Sequence, residues 1–271
     1  QEAELSYRKA IELKPDFGDA HYNLGIILRD LGKLQEAELS THKAIELKPN
    51  YANAYLNLGN IFSDLGKPEE AEKSYCKAIE LKPDYANAHL NLGNICSDIG
   101  KSEEAFDCYL KAIDINPNNS NSYNLLTRFL RDADPSQLNE SKLRYILNLL
   151  LEKNDISHKE LFNAFNFLYS SEIISSLEKF DSDFSAIELL INNKVIINQL
   201  KKITFRDLEL EKILTKVRKN ICNRIAKNME NINYSQLQFV IALGEQCFLN
   251  EYIYSLTEEE NLSLNVIIKR C

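Results

Sequence analysis

The chain has 271 residues, 44% apolar and 27% charged, with a formal net charge of −8. That is enough for one or two domains with a substantial core, and no apolar run approaches the ~18–20 residues that span a bilayer. The charge is uneven: residues 1–119 carry 13 Lys/Arg against 20 Asp/Glu, a balance of −7, which argues against nucleic acid, whose phosphates demand a basic footprint.

The six cysteines (Cys76, Cys96, Cys108, Cys222, Cys247, Cys271) form no C-x-x-C pair and staple no loop-rich stretch, so they are expected to be reduced thiols of a cytoplasmic protein. The histidines His21, His42, His89 and His158 show no metal-ligand spacing. No metal and no cofactor are expected.

The chain opens at Gln1 already inside a helical pattern that stops at Lys14-Pro15. This is half of a longer unit, and further units are expected upstream. From Glu2, Glu36, Glu70 and Glu104 the sequence returns every 34 residues without insertion, and residues 36–69 match residues 70–103 at 26 of 34 positions. A period of this length is the mark of a repeat architecture.

Each unit reads as two helices. In the unit from Ala52, apolar residues at helical spacing predict a first helix over Ala54–Phe62. A turn at Leu65-Gly66-Lys67-Pro68 leads to a second helix over Glu69–Leu81, which Lys82-Pro83 stops. Gly25, Gly59 and Gly93 fall where the first helix crosses the second. Ala37, Ala71 and Ala105, with Ala44, Ala78 and Ala112, keep the opposing surface low, because bulk at any of these places would push the helices apart.

The pattern Leu58-Gly59, Phe62, Ala71, Tyr75, Ala78, Pro83 resembles the tetratricopeptide repeat family, with Tyr55 in a slot that the family often gives to Trp. His21 and His89 fill that slot in two other units and are read as packing variants. The resemblance covers a half unit (1–17), full units at 18–51, 52–85 and 86–119, and a degenerate first helix at 120–132. It implies an all-α solenoid, a superhelix of antiparallel helix pairs whose concave groove is lined by first helices and binds protein or extended peptide.

The groove positions implied by the resemblance recur once per unit. Asn23, Asn57 and Asn91 lie two residues before the packed glycine, with Asn60 and Asn94 one turn further on. Asp30, Asp64 and Asp98 form a row a further turn along, continued by Asp132. An amide offers both donor and acceptor, so an asparagine ladder can pair with a peptide backbone whatever its sequence. The aspartates would favour Lys, Arg or hydroxyl side chains. The competing reading is that these residues solvate a helix face and the array is a passive assembly scaffold.

Repeats that grip a chaperone's C-terminal carboxylate use Lys and Arg in the groove, where this chain has Tyr22, Leu56, Asn87 and Asn91. The ladder instead resembles the superhelix fused to O-linked N-acetylglucosamine transferases, which bind extended substrate peptides. A protein or peptide partner is expected, with no nucleic acid, membrane or small-molecule ligand.

After Pro135 there is no further proline and the one glycine is Gly244, so residues 133–271 read as a helical domain. Leu143, Ile146, Leu147, Leu150 and Leu151 share one helix face. Ser157 with Glu160 has the spacing of a capping box, ahead of a face made by Leu161, Phe165 and Leu168. Further helices are expected over 183–203 (broken near Asn192-Asn193), 207–228, 235–249 and 257–270. The helix at 207–228 is basic and amphipathic, and is read as packing on a core.

Residues 206–215 and 246–254 resemble the helical segment that joins tetratricopeptide repeats to S-adenosylmethionine-dependent methyltransferases in bacterial fusion proteins. That resemblance implies an alternative role as the non-catalytic, substrate-recruiting part of such an enzyme, with the catalytic domain beyond Cys271. The chain has no Gly-rich turn that could hold the methyl donor, since seven of its eight glycines belong to the repeats. Cys247 near Glu251 has no histidine downstream of His158 to serve as a base, so no catalytic residue is expected.

Overall fold

A computed structural model describes residues 2–178, 190, 192–202, and singly 234, 238, 239, 241 and 242. The helices expected over 207–228 and 257–270, most of the one over 235–249, residues 183–189, 191 and 203 of the one over 183–203, and all of the methyltransferase-like segments at 206–215 and 246–254 lie outside the described residues.

Every described element is helical. In chain order these are α1 (Glu2–Leu13), α2 (Gly18–Asp30), α3 (Leu34–Leu47), α4 (Ala52–Asp64), α5 (Pro68–Leu81), α6 (Ala86–Asp98), α7 (Ser102–Ile115), α8 (Ser120–Asp132), α9 (Glu140–Glu152), α10 (Phe162–Glu178) and α11 (Lys194–Lys202). Short 3-10 turns lie at Pro135–Gln137 and His158–Leu161. Two compact units divide within α8, between Leu126 and Thr127.

The first unit is a solenoid of helix pairs. Within each repeat the second helix packs back on the first, α2 with α3, α4 with α5 and α6 with α7, and each pair stacks on the next. The core therefore runs along the stack rather than around a centre: Leu24, Leu28, Ala37 and Ile61 form one buried cluster, with Tyr7 and Ile11 of α1 packed against it. Six small residues, Ala37, Ala44, Ala71, Ala78, Ala105 and Ala112, are fully buried at the helix crossings. A Cβ on Gly59 would sit 2.5 Å from the Tyr75 ring, and one on Gly93 would sit 3.0 Å from the Tyr109 ring. The glycines are the surface on which the second-helix tyrosines lie.

The turn inside each unit has a specific construction. After α2, Lys33 N–H donates to Leu28 O and Gly32 N–H to Arg29 O, the paired bonds that close a helix through a left-handed residue. Gly32, Gly66 and Gly100 supply it with φ of 73°, 69° and 79°, a conformation costly for any residue with a Cβ.

In the second unit, Leu143, Ile146, Leu147, Leu150 and Leu151 are all buried on one face of α9, and Leu161, Phe165 and Leu168 are buried at and beyond the start of α10. The Ser157 capping box does not form. Ser157 opens a 3-10 turn and makes no side-chain cap, because the tighter turn gives the Glu160 N–H to the backbone oxygen of Ser157 instead. Asn139 caps α9 through the Lys142 N–H, and Asn193 Oδ1 accepts the Val195 N–H at the start of α11. Among the described residues no helix is long and apolar enough to cross a membrane.

Candidate functional site

The side chains that face outward from the first helices are positioned by two sets of hydrogen bonds, one inside each repeat and one between repeats. Inside a repeat, the buried second-helix tyrosine holds an asparagine of its own first helix: Tyr75 OH donates to Asn60 Oδ1 at 2.8 Å, and Tyr109 OH to Asn94 Oδ1 at 2.8 Å. Between repeats, Asn91 Nδ2 donates to Asn60 Oδ1 at 2.8 Å and Asn57 Nδ2 to Thr41 Oγ1 at 3.0 Å. Thr41 occupies in the first full unit the place that Tyr75 and Tyr109 hold in the next two, and there Ile26 stands where they have Asn60 and Asn94. Tyrosine and asparagine thus change together within this chain, as they must if the one holds the other.

Burial pushes the Tyr75 hydroxyl well above the ordinary tyrosine range, and the nearby Asp64 carboxylate adds to the effect. It stays protonated and remains a donor at neutral pH. Asn60 Oδ1, accepting from both Tyr75 and Asn91, has its two lone pairs filled, which leaves the Asn60 N–H groups for another partner. Asn94 likewise keeps its amide N–H groups, while Asn91, whose amide also hydrogen-bonds the Tyr75 hydroxyl, keeps its oxygen.

Five of the eight expected groove residues come together. Asn60, Asp64, Asn91, Asn94 and Asp98 line one polar cavity of about 300 Å³, with Arg29, Ser63, Tyr75 and Ile95 completing its wall. The other three lie elsewhere. Asn57 is 4% exposed, its amide committed to Thr41 inside the stack. Asn23 is half-buried on α2, and Asp30 is exposed beside Arg29, its carboxylate 3.7 Å from the guanidinium.

The acidic row is not uniform. Arg29 Nε lies 3.4 Å from Asp64 Oδ2, one repeat further along. Asp98 is exposed and has no ion-pair partner among the described residues. Arg29 and Ser63 were not among the expected site residues. The signal for them was present: they hold the same place in successive units, immediately before the aspartate row, and one carries a charge that the other lacks.

A larger cleft of about 440 Å³ opens beside α1, α2 and α3 over Ile11, Leu24, Leu28 and Leu39. Three of the charges on its rim are paired, Arg8 with Glu36 and Lys43 with Glu46, and Glu12 is a fourth. It offers a shallow apolar floor.

His21 and His89 serve the stack. Their Nε2 atoms lie 2.9 and 3.0 Å from the carbonyls of Pro15 and Pro83, and Tyr123 OH donates to Pro117 O at 2.9 Å from the same repeat position. A carbonyl can only accept, so the proton is on Nε2 in both imidazoles. Cys76, Cys96 and Cys108 are free thiols, and among the described residues no cluster of His, Cys, Asp and Glu could hold a metal.

Family models described as tetratricopeptide repeat match residues 18–51 and 86–119, and residues 43–73 and 108–155, while one described as TPR repeat matches 59–100. The repeats are tetratricopeptide repeats. The family match to the array runs to residue 155, past the end of α8 and through α9.

Three solved structures are among those similar to this chain. The crystal structure of MamA is 26% identical, covers 46% of this chain and 74% of its own, and superposes with a TM-score of 0.44. The first tetratricopeptide domain of Spaghetti (RPAP3), bound to the HSP90 peptide SRMEEVD, is 24% identical over 41% of this chain and 89% of its own, with a TM-score of 0.40. YrrB, a tetratricopeptide protein with an unusual peptide-binding site, is 17% identical over 76% of this chain and 89% of its own, with a TM-score of 0.45. None of the curated proteins matches the chain.

Proposed function

We propose that the tetratricopeptide array binds an extended segment of a partner protein along the face of its first helices. The observation that carries this reading is the polar cavity lined by Asn60, Asn91 and Asn94. Their amides are hydrogen-bonded to Tyr75, Tyr109 and each other, and each still has hydrogen-bonding capacity to spare. A fixed, part-satisfied amide costs little further entropy when it binds. A peptide backbone, with one donor and one acceptor per residue, is the partner that several such amides in a row can serve at once. The acidic balance of the repeats works against nucleic acid at this face. Asn57 enters the proposal as a residue that joins repeats, whereas Asn60, Asn91, Asn94 and Asp98 make the peptide contacts.

The test is capture of a partner by the full chain beside the variant Asn60→Ala with Asn94→Ala, followed by cross-link mapping. Cross-links confined to α4 and α6, and lost in a variant that melts at the parent temperature, support the reading. Cross-links confined to α3, α5 and α7, or to residues after 132, overturn it.

A further inference from the structure

We infer that Asp98, facing the place where Ser63 replaces an arginine, is a seat for a guanidinium or ammonium group of the bound segment, so that this face selects chains carrying an arginine or lysine. The inference rests on the peptide-binding reading above and deepens it.

The chain supplies its own reference for such a seat. Where α2 meets α4, the arginine at the twelfth position of one repeat, Arg29, reaches the aspartate at the thirteenth position of the next, Asp64, at 3.4 Å. One repeat later Ser63 and Asp98 hold those two positions, and both line the cavity. Serine ends at Oγ and is several bonds too short to reproduce the contact. What the first step fills with an internal cation, the second leaves as open space beside a carboxylate. The cavity contains one cation, Arg29, and two carboxylates, Asp64 and Asp98. Arg29 is taken by Asp64, so the uncompensated charge is that of Asp98. The rest of the wall suits a cationic side chain as well. Asn91 retains an amide oxygen that can accept from a guanidinium, and Ile95 gives an apolar surface for its methylene stem. Because the seat is open to water, the preference should weaken as salt rises.

The experiment is a selection of random displayed dodecapeptides on the full chain, repeated on Asp98→Asn and on Ser63→Arg. Both positions are exposed, and thermal melts establish that each variant folds. Ser63→Arg copies the Arg29 step and so fills the seat from within. The expected result is enrichment of a basic residue at one fixed peptide position by the parent chain and its loss in both variants. A labelled parent-selected peptide should bind each variant about ten-fold more weakly, the scale of one charge-assisted hydrogen bond. Enriched peptides with no basic position, or basic peptides bound equally by Ser63→Arg, overturn the cation seat and leave the peptide-binding face standing. Absence of any enriched peptide that competes at α4 and α6 overturns both.

Discussion

On the second-helix side of the array, three successive steps between repeats use the same ion pair. Lys33 meets Glu4 at 2.9 Å, Lys67 meets Glu38 at 3.5 Å and Lys101 meets Glu72 at 2.6 Å, each joining the turn of one repeat to the second helix of the one before. The series stops at Phe106, which takes the glutamate's place in the last full unit and is completely buried. Where the first helices meet, the steps differ: Asn57 bonds Thr41, whereas Asn91 bonds both Tyr75 and Asn60; Arg29 meets Asp64, whereas Ser63 stands before an open Asp98. Repetition on one side holds the stack in register, and departure from repetition on the other creates a place that differs from its neighbours.

The strongest way to break this comparison is at the tyrosine that serves both sides. Tyr75 is 2% exposed, and Tyr75→Ala should cost about 3–5 kcal/mol of unfolding free energy, read by urea denaturation. Tyr75→Phe keeps the packing and loses only the hydroxyl's bonds to Asn60 and Asn91, so about 1 kcal/mol is expected. A loss in Tyr75→Phe as large as that in Tyr75→Ala would mean the hydroxyl network, rather than packing, holds the repeat.

Gly59→Ala tests the close crossing beneath that ring. It places a Cβ 2.5 Å from the ring and should cost about 1–3 kcal/mol. Gly66→Ala has open space but a φ of 69°, and roughly 1 kcal/mol is expected in the same assay. A Gly59→Ala variant as stable as the parent would disprove the account of glycine as a ring platform.

The joint between repeats should show a pH response. Burial, together with the Asp19 carboxylate, pushes the Tyr51 hydroxyl up to about 12. A phenol whose folded pKa exceeds its unfolded value of about 10 contributes stability below pH 10 that is lost as pH rises toward 12. Thermal melts between pH 9 and pH 12 should therefore fall, and fall less steeply in Tyr51→Phe. The preceding repeat already tolerates Phe17 at this place, so the variant should fold. An unchanged alkaline slope would remove Tyr51 from the explanation.

The smallest stability effect and the sharpest functional one are expected from Arg29→Ser. Its ion pair with Asp64 is partly exposed, with 29% and 51% of the two side chains accessible. Its loss should change stability by less than about 0.5 kcal/mol. It also turns the first step into a copy of the second, so peptides selected on this variant should carry a second basic residue. If they carry one, the difference between the two steps is not what selects the ligand.

Much of this was legible before any coordinates. The 34-residue period, the glycine and alanine crossings and the proline stops are local steric facts, and α4 and α5 lie within two residues of their expected limits. The α9 face of Leu143, Ile146, Leu147, Leu150 and Leu151 followed from spacing alone. Ser157 shows the limit of local reading: the residues of a capping box were present, yet a 3-10 turn took the N–H that the side chain would have accepted.

The asparagines show the larger limit. Asn57, Asn60 and Asn91 are the same residue type on the same helix face, and the sequence by itself determined that they recur once or twice per repeat on first helices with acidic neighbours. Only the tertiary structure decided that Asn57 is spent inside the stack, that Asn60 is tied on both sides of its oxygen, and that Asn91 and Asn94 keep capacity for a partner. Helix periodicity sets which face a side chain occupies, but an amide is satisfied by whichever group the neighbouring repeat brings to within about 3 Å. That distance is a product of how the repeats stack.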